Sequence, residues 1–257
     1  MIRVLSPGLL TTVQDLGRPG LGALGVPPGG AADAHALRLG NLLLGNPEGA
    51  AGLEMTLSGP TLLFDEEALV ALAGAPFAAT LEGEPVPAWS AIRVPAGGRL
   101  AVGSATAGAR GCLCLRGGFD VPVVLGSRST DVATGFGGLS GRALRAGDEL
   151  AAGRADGSPR GGRVDAAAAR WTGARRLLRV TPGPQEDWFP PQALVAFLSR
   201  PFRVSATGSR TGVRLAGEPL AAPSRSLLTE GVAAGAVQVP PAGLPILLLV
   251  EHPSTGG

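Results

Sequence analysis

Arg128, Ser129, Thr130 and Asp131 stand in a row within LGSRSTDVATGFGGLSGRALRAGD, residues 125–148. A guanidinium, two hydroxyls and a carboxylate in one short segment can recognise an anion, because arginine presents a planar fork of donors to carboxylate or phosphate. Gly135, Gly137 and Gly138 follow, where backbone can approach a ligand closely, and Arg142 adds a second guanidinium. A plain surface loop in which Asp131 caps a turn accounts for the same composition. The segment alone leaves both readings open.

A second glycine-rich stretch, TTVQDLGRPGLGALGVPPGGAAD (11–33), carries Gln14, Asp15, Arg18 and Asp33. It is not a P-loop, for it lacks G-x-x-x-x-G-K-[ST]. Gly20, Gly22 and Gly25 fit G-x-G-x-x-G, but no buried parallel strand precedes them and no helix opens at the last glycine, so turns are the better reading. ATGSRTGVRL (206–215) offers Arg210, read as a solvated hairpin charge. Glu230 follows a turn in LLTEGVAAGAVQVPPAG (227–243), and Gln238, flanked by valines, points to the opposite face from both, a position on a barrel exterior or at a barrel mouth, of which the exterior is the better reading. Glu251 and His252 follow an apolar strand. His252 is of the residue type that suits an acid or base near neutral pH, yet it has no visible Asp partner and reads as structural, as does His35. No nucleophile elbow, zinc-protease motif or glycosidase-like carboxylate pair is present.

All 22 basic residues of the 257-residue chain are arginine. The absence of lysine excludes Schiff-base chemistry, a Walker lysine and a biotin attached to this chain. The formal charge of +2, without a basic patch interleaved with aromatics, argues against nucleic acid. Cys112 and Cys114, two apart on one strand face, read as buried thiols rather than a disulfide, and two Cys with two distant His make a poor metal site. The N-terminus reaches Pro7 and Gly8 before a signal core can form, and the longest apolar run, 244–250, is too short to span a bilayer. The expected setting is cytoplasmic, away from membranes.

The elements that must position these residues are mostly short strands. TLLF (61–64), ALVALAG (68–74), FAATL (77–81), AIRVP (91–95) and RLAVG (99–103) are separated by turn signals, which predicts a mainly β protein with few short helices. Asp33 is positioned to cap a helix through AHALRLGNLLLG, with Gly45 at its C-terminal end. A second helix is predicted at PPQALVAFLSR with Leu194, Phe197 and Leu198 on one face. The composition predicts an N-terminal unit at 1–155, a linker at 156–176, and a second β unit at 177–257 opening with a strand in LLRVTPG.

Taken in order, TVQDLGRPG, GVPPGGAAD, GNLLLGNP, LRGGFDVPVVLGSRSTD, GFGGLSGRALRAGD, VTPGPQ, GSRTGVRLAGEPL, TEGVAAGAVQVPPAGLPILLL and STGG resemble the allophanate hydrolase subunit 2 family. That family includes the C-type subunits of 5-oxoprolinase and the carboxyltransferase part of urea amidolyase. The resemblance implies two β-rich units with cyclophilin-like open barrels and a heteromer with a subunit 1 (B-type) partner and an A-type subunit. It implies ATP-dependent opening of 5-oxoproline to glutamate by the complex, with this chain inactive alone. Two alternatives go with it: a carboxyltransferase acting on urea-like amides with biotin brought by another chain, or a regulatory partner of a kinase-inhibitor-like subunit. By matching position it places Asp15 and Glu54 as acid/base or positioning groups. It places Gln14, Arg18, Asp33, Arg128, Ser129, Thr130, Arg142, Arg210, Glu230, Gln238 and Thr255 at substrate. The sequence departs from the family pattern at GSRTGVRL and at VEHPSTGG, where His252 and Pro253 replace Arg and Gln. The family pattern runs some tens of residues past the double glycine, so a closing strand or helix is expected beyond Gly257.

Overall fold

The computed structural model describes residues 1–155, 162–165, 177–223, 225, 227–253 and the backbone of 255–256. The chain divides into two compact units, one of residues 1–18 and 29–175, the other of residues 19–28 and 176–257. The expected linker at 156–176 lies largely outside the described residues.

In the first unit, short apolar strands build two antiparallel sheets. The larger contains β1 (Ile2–Ser6), β4 (Thr61–Phe64), β6 (Phe77–Leu81), β7 (Glu84–Pro85), β9 (Arg99–Ala105), β11 (Phe119–Asp120) and β12 (Glu149–Ala152), in the order β11-β12-β1-β4-β9-β6-β7. The smaller contains β2 (Leu10–Gln14), β3 (Gly52–Thr56), β5 (Ala68–Gly74), β8 (Ala91–Val94) and β10 (Arg110–Leu115), in the order β2-β3-β10-β5-β8. The two sheets share one core. Ile2, Val4, Leu62, Phe64, Leu100 and Val102 from the first meet Val13, Leu53, Met55, Val70, Leu113 and Leu115 from the second. Burial of such side chains stabilises by roughly 1.5–3 kcal/mol each. All five predicted strands between 61 and 103 form.

The other face of the smaller sheet is covered by α1 (Ala34–Leu44). Asp33 caps it by accepting the Ala36 N–H at 2.9 Å, and Gly45 ends it in the left-handed region at φ 72°. Leu37, Leu43 and Leu44 pack on Ala71, Cys112 and Cys114. Gly40 permits the close approach, since a Cβ there would lie 2.6 Å from the Cys114 sulfur. Both cysteines are buried thiols outside any disulfide, as the spacing predicts, and burial pushes the Cys114 thiol up to about 12.

The second unit holds a four-stranded sheet of β13 (Arg203–Val204), β14 (Gly212–Ala216), β16 (Val237–Gln238) and β17 (Ile246–Leu248), in the order β13-β14-β17-β16. Beside it β15 (Glu230–Gly231) pairs with β18 (Thr255–Gly256). Its helix, α2 (Pro191–Ser199), starts at a proline as predicted but buries a different face. Ala193 and Ala196 are buried, while Leu194 and Leu198 are exposed. Small residues let the helix backbone approach closely, which the hydrophobicity pattern does not reveal. The strand predicted in LLRVTPG is absent. Residues 177–183 pair with no strand among the described residues, and Leu177 and Leu178 are exposed. Pro182 brings no N–H to a ladder. No helix among the described residues is long and apolar enough to cross a membrane.

Candidate functional site

The edge strand β2 ends in Gln14, and the chain then turns through Asp15 to Arg18. Segment 127–131 lies against this turn and is fastened to it. The Asp15 carboxylate accepts four donors. The Gly17 N–H (2.7 Å), Ser127 Oγ (2.6 Å) and Ser129 Oγ (2.6 Å) reach Oδ1, and the Arg128 N–H reaches Oδ2 at 2.6 Å. In return the Asp15 N–H donates to Ser129 Oγ at 3.0 Å. Gln14 Nε2 donates to the Thr130 carbonyl, and both the N–H and the Oγ1 of Thr130 donate to the Val13 carbonyl. Arg18, 3 % exposed, donates from Nη2 to the Ser129 carbonyl at 2.5 Å and stacks its guanidinium 4.7 Å from the centre of the Phe136 ring. A charge-assisted bond and a cation–π contact together fix a buried cation.

Glycines make the approach possible. Gly137 has φ 71°, and a Cβ there would lie 2.1 Å from the Ser129 carbonyl oxygen. Asp131 Oδ1 accepts the N–H groups of Ala133 and Thr134, so the turn-capping reading of Asp131 holds. Asp131 Oδ2 and Gln14 Oε1 are buried acceptors without a hydrogen-bond partner among the described residues.

What emerges from this clasp is the side chain of Arg128. It is 40 % exposed and meets Asp120 through Nη2 to Oδ1 at 3.2 Å. Gln14, Asp15, Arg18, Arg128, Ser129 and Thr130 are therefore brought together. Glu54 is cross-strand from Thr12, whose Oγ1 accepts from Gln14 Nε2. Buried, Glu54 accepts the Ala32 N–H at 2.6 Å and Arg110 Nη1 at 3.1 Å. Asp33 is occupied as the α1 cap. Arg142 is given to Asp148 through two parallel bonds, each 2.8 Å, with a third to the Ala143 carbonyl. The Arg142 hydrogen bonds hold the Asp148 carboxyl below its usual range, burial opposing and the Arg145 N–H assisting.

In the second unit Arg210 is not the solvated hairpin charge expected of it. It is buried and donates from Nε to Glu251 Oε1 at 2.6 Å. The turn before β14 and the chain after β17 converge there, since the Glu251 N–H also donates to the Arg210 carbonyl. His252 is buried with Nδ1 2.6 Å from the Pro253 carbonyl, which can only accept, so Nδ1 carries the proton. Glu230 is exposed and accepts from Gln185 Nε2 at 2.8 Å. Gln238 is half-buried in β16. Thr255 pairs through its backbone with Gly231.

Sequence reasoning missed Ser127, Asp120, Arg110 and Phe136. Ser127 carried a signal, lying one residue from the RSTD run. The partnerships of the other three depend on strand register and loop path.

The model of the carboxyltransferase domain, subdomains A and B, matches residues 24–257. The chain belongs to this carboxyltransferase family. Over its full length it is 39 % identical to the C-type 5-oxoprolinase subunit of Escherichia coli and covers 82 % of that protein. It is 38 % identical over 227 residues to urea amidolyase of Lachancea kluyveri, covering 12 % of it. Among solved structures, the urea carboxylase of Kluyveromyces lactis superposes with a TM-score of 0.87 at 33 % identity; all of this chain is matched and 25 % of that one. The carboxyltransferase fold thus occurs both as a chain of this size and as a fraction of a far longer one.

Within the carboxyltransferase family frame, the first unit holds Arg128, its side chain 40 % exposed, on a hydrogen-bonded mount, and keeps two further arginines, Arg18 and Arg142, bound to its own carbonyl and carboxylate groups. Such an arrangement can bind and orient an anionic group at Arg128. Asp15 and Glu54 each face several donors, an environment that suits positioning.

Proposed function

We propose that this chain is the C-type subunit of an ATP-dependent 5-oxoprolinase, opening 5-oxoproline to glutamate together with A- and B-type subunits in the cytoplasm. The observation that carries the reading is the extent of the match: the whole of this chain against 82 % of a separate subunit, compared with 12 % of urea amidolyase.

A five-membered lactam is a stable amide, and ATP supplies its activation in the complex. This chain has neither lysine nor a P-loop, so we assign nucleotide binding to a partner subunit. What this chain contributes is substrate orientation. Arg128 fits the carboxylate of 5-oxoproline, Asp15 and the two serines hold Arg128 in place, and N–H groups and arginines favour negative charge that develops on ring opening. The test is glutamate release from 5-oxoproline and ATP with the A- and B-type partners present. Release should require this chain and fall sharply with Arg128→Gln; release that proceeds equally without the chain overturns the reading.

A second reading has its own support in the family itself and in the urea amidolyase relatives. In it the chain transfers a carboxyl group to a urea-like amide from biotin carried by another protein, and carboxyl transfer from a biotinylated carrier in place of glutamate release would favour it.

A further inference from the structure

We propose that Asp120 is an internal competitor for the anion that Arg128 receives, and that this pair sets how tightly an amide bearing a carboxylate is held. The proposal rests on the reading of Arg128 given above and adds Asp120 as a residue that sets affinity for the anion.

The backbones on both sides are fixed. Arg128 donates its N–H to Asp15 Oδ2, and the serines flanking it, both buried, donate their hydroxyls to Asp15 Oδ1. The chain enters through a tight two-residue turn closed by Val124 N–H to Ser127 O at 2.8 Å, with Leu125 at φ 52° and Gly126 at φ 79°. Asp120 sits in β11, paired with Ala151 and preceded by the buried Phe119. Only the two side chains remain adjustable, and they meet by one contact of 3.2 Å with 40 % and 56 % of each exposed.

The other arginines set the contrast. Arg142 grips Asp148 with two bonds of 2.8 Å, and Arg210 is buried against Glu251 at 2.6 Å. Those pairs are built to stay. The Arg128–Asp120 pair uses one nitrogen of the fork at a wet surface, where ion pairs are weak and readily exchanged. A free carboxylate that takes both nitrogens makes the stronger, bidentate contact and displaces Asp120. A neutral amide makes no such bidentate contact with the guanidinium, so its binding does not depend on Asp120.

The full chain can be tested without turnover, by titrating acetate and its neutral isostere acetamide while following the Arg128 side-chain 15Nε resonance. Asp120→Asn should tighten acetate by about two- to fivefold and leave acetamide without effect. In the assembled complex, Asp120→Asn should lower KM for 5-oxoproline by a similar factor at unchanged kcat, with inhibition by the neutral lactam 2-pyrrolidinone unaltered. Acetate affinity equal in wild type and Asp120→Asn overturns the proposal, as does an equal shift for acetate and acetamide. A complex that does not open 5-oxoproline would instead overturn the proposed function, while the acetate titration still decides the role of Asp120.

Discussion

Ser129 and Asp15 exchange two hydrogen bonds: the serine Oγ donates to Asp15 Oδ1 at 2.6 Å, and the Asp15 N–H donates to the same Oγ at 3.0 Å. The two residues are 114 apart in sequence, and their reciprocal bond is the centre of the clasp that mounts Arg128.

Asp15→Ala should loosen that mount. Four donors lose a charged acceptor, and hydrogen bonds to charged groups contribute about 1.5–3 kcal/mol each before relaxation and water soften the loss. We expect destabilisation of about 2–4 kcal/mol, measured by urea denaturation, with Asp15→Asn intermediate. In the assembled complex both variants should raise KM for 5-oxoproline. Lowered kcat with unaltered KM and stability would instead mark Asp15 as a proton-transfer group.

The Arg142–Asp148 pair makes a pH prediction. The folded Asp148 carboxyl is depressed, chiefly by its bonds from Arg142. Its stabilising contribution is therefore complete above the unfolded carboxyl value of about 3.9 and is lost as pH falls through the lower folded value. Stability curves of wild type and Asp148→Asn should run parallel between about pH 5 and 7 and converge below about pH 4. Curves that stay parallel down to about pH 2.5 would contradict the assignment.

Arg210 and Glu251 allow a double-mutant cycle. Arg210→Leu buries Glu251 without the guanidinium that pairs with it, at a cost of about 3–5 kcal/mol. Arg210→Leu with Glu251→Leu should recover most of that loss, because a buried ion pair replaced by apolar groups of similar volume is often close to neutral. Additive losses, read from denaturation of the four proteins, would show that the two side chains act independently.

Much of this architecture is legible in the sequence because it depends on local signals. The strands at 61–64, 68–74 and 77–81 declare themselves as short apolar runs between turn signals, and α1 by Asp33 at one end and Gly45 at the other. The site is legible as residue types but not as partnerships. Arg128, Arg142 and Arg210 look alike in sequence. What separates an exposed arginine from two committed ones is the arrival of Asp120, Asp148 and Glu251, and the last of these is 41 residues from its partner. Residues 177–183 and the leucines of α2 mislead for a related reason. Their composition suits a strand and a buried face, but only neighbours can supply pairing and cover.

The segment that mounts Arg128 also lies along β2, the outermost strand of the smaller sheet. Thr130 and Leu144 donate their N–H groups to the carbonyls of Val13 and Thr11, occupying acceptors that an edge strand would otherwise offer to any passing chain. The proposed anion recognition and the cover over this β edge thereby depend on the same few hydrogen bonds. A substitution that unfastens the loop should do more than weaken substrate binding. It should leave a β edge open to other molecules, so such variants would be found increasingly in the insoluble fraction, and most of all when synthesised without a partner.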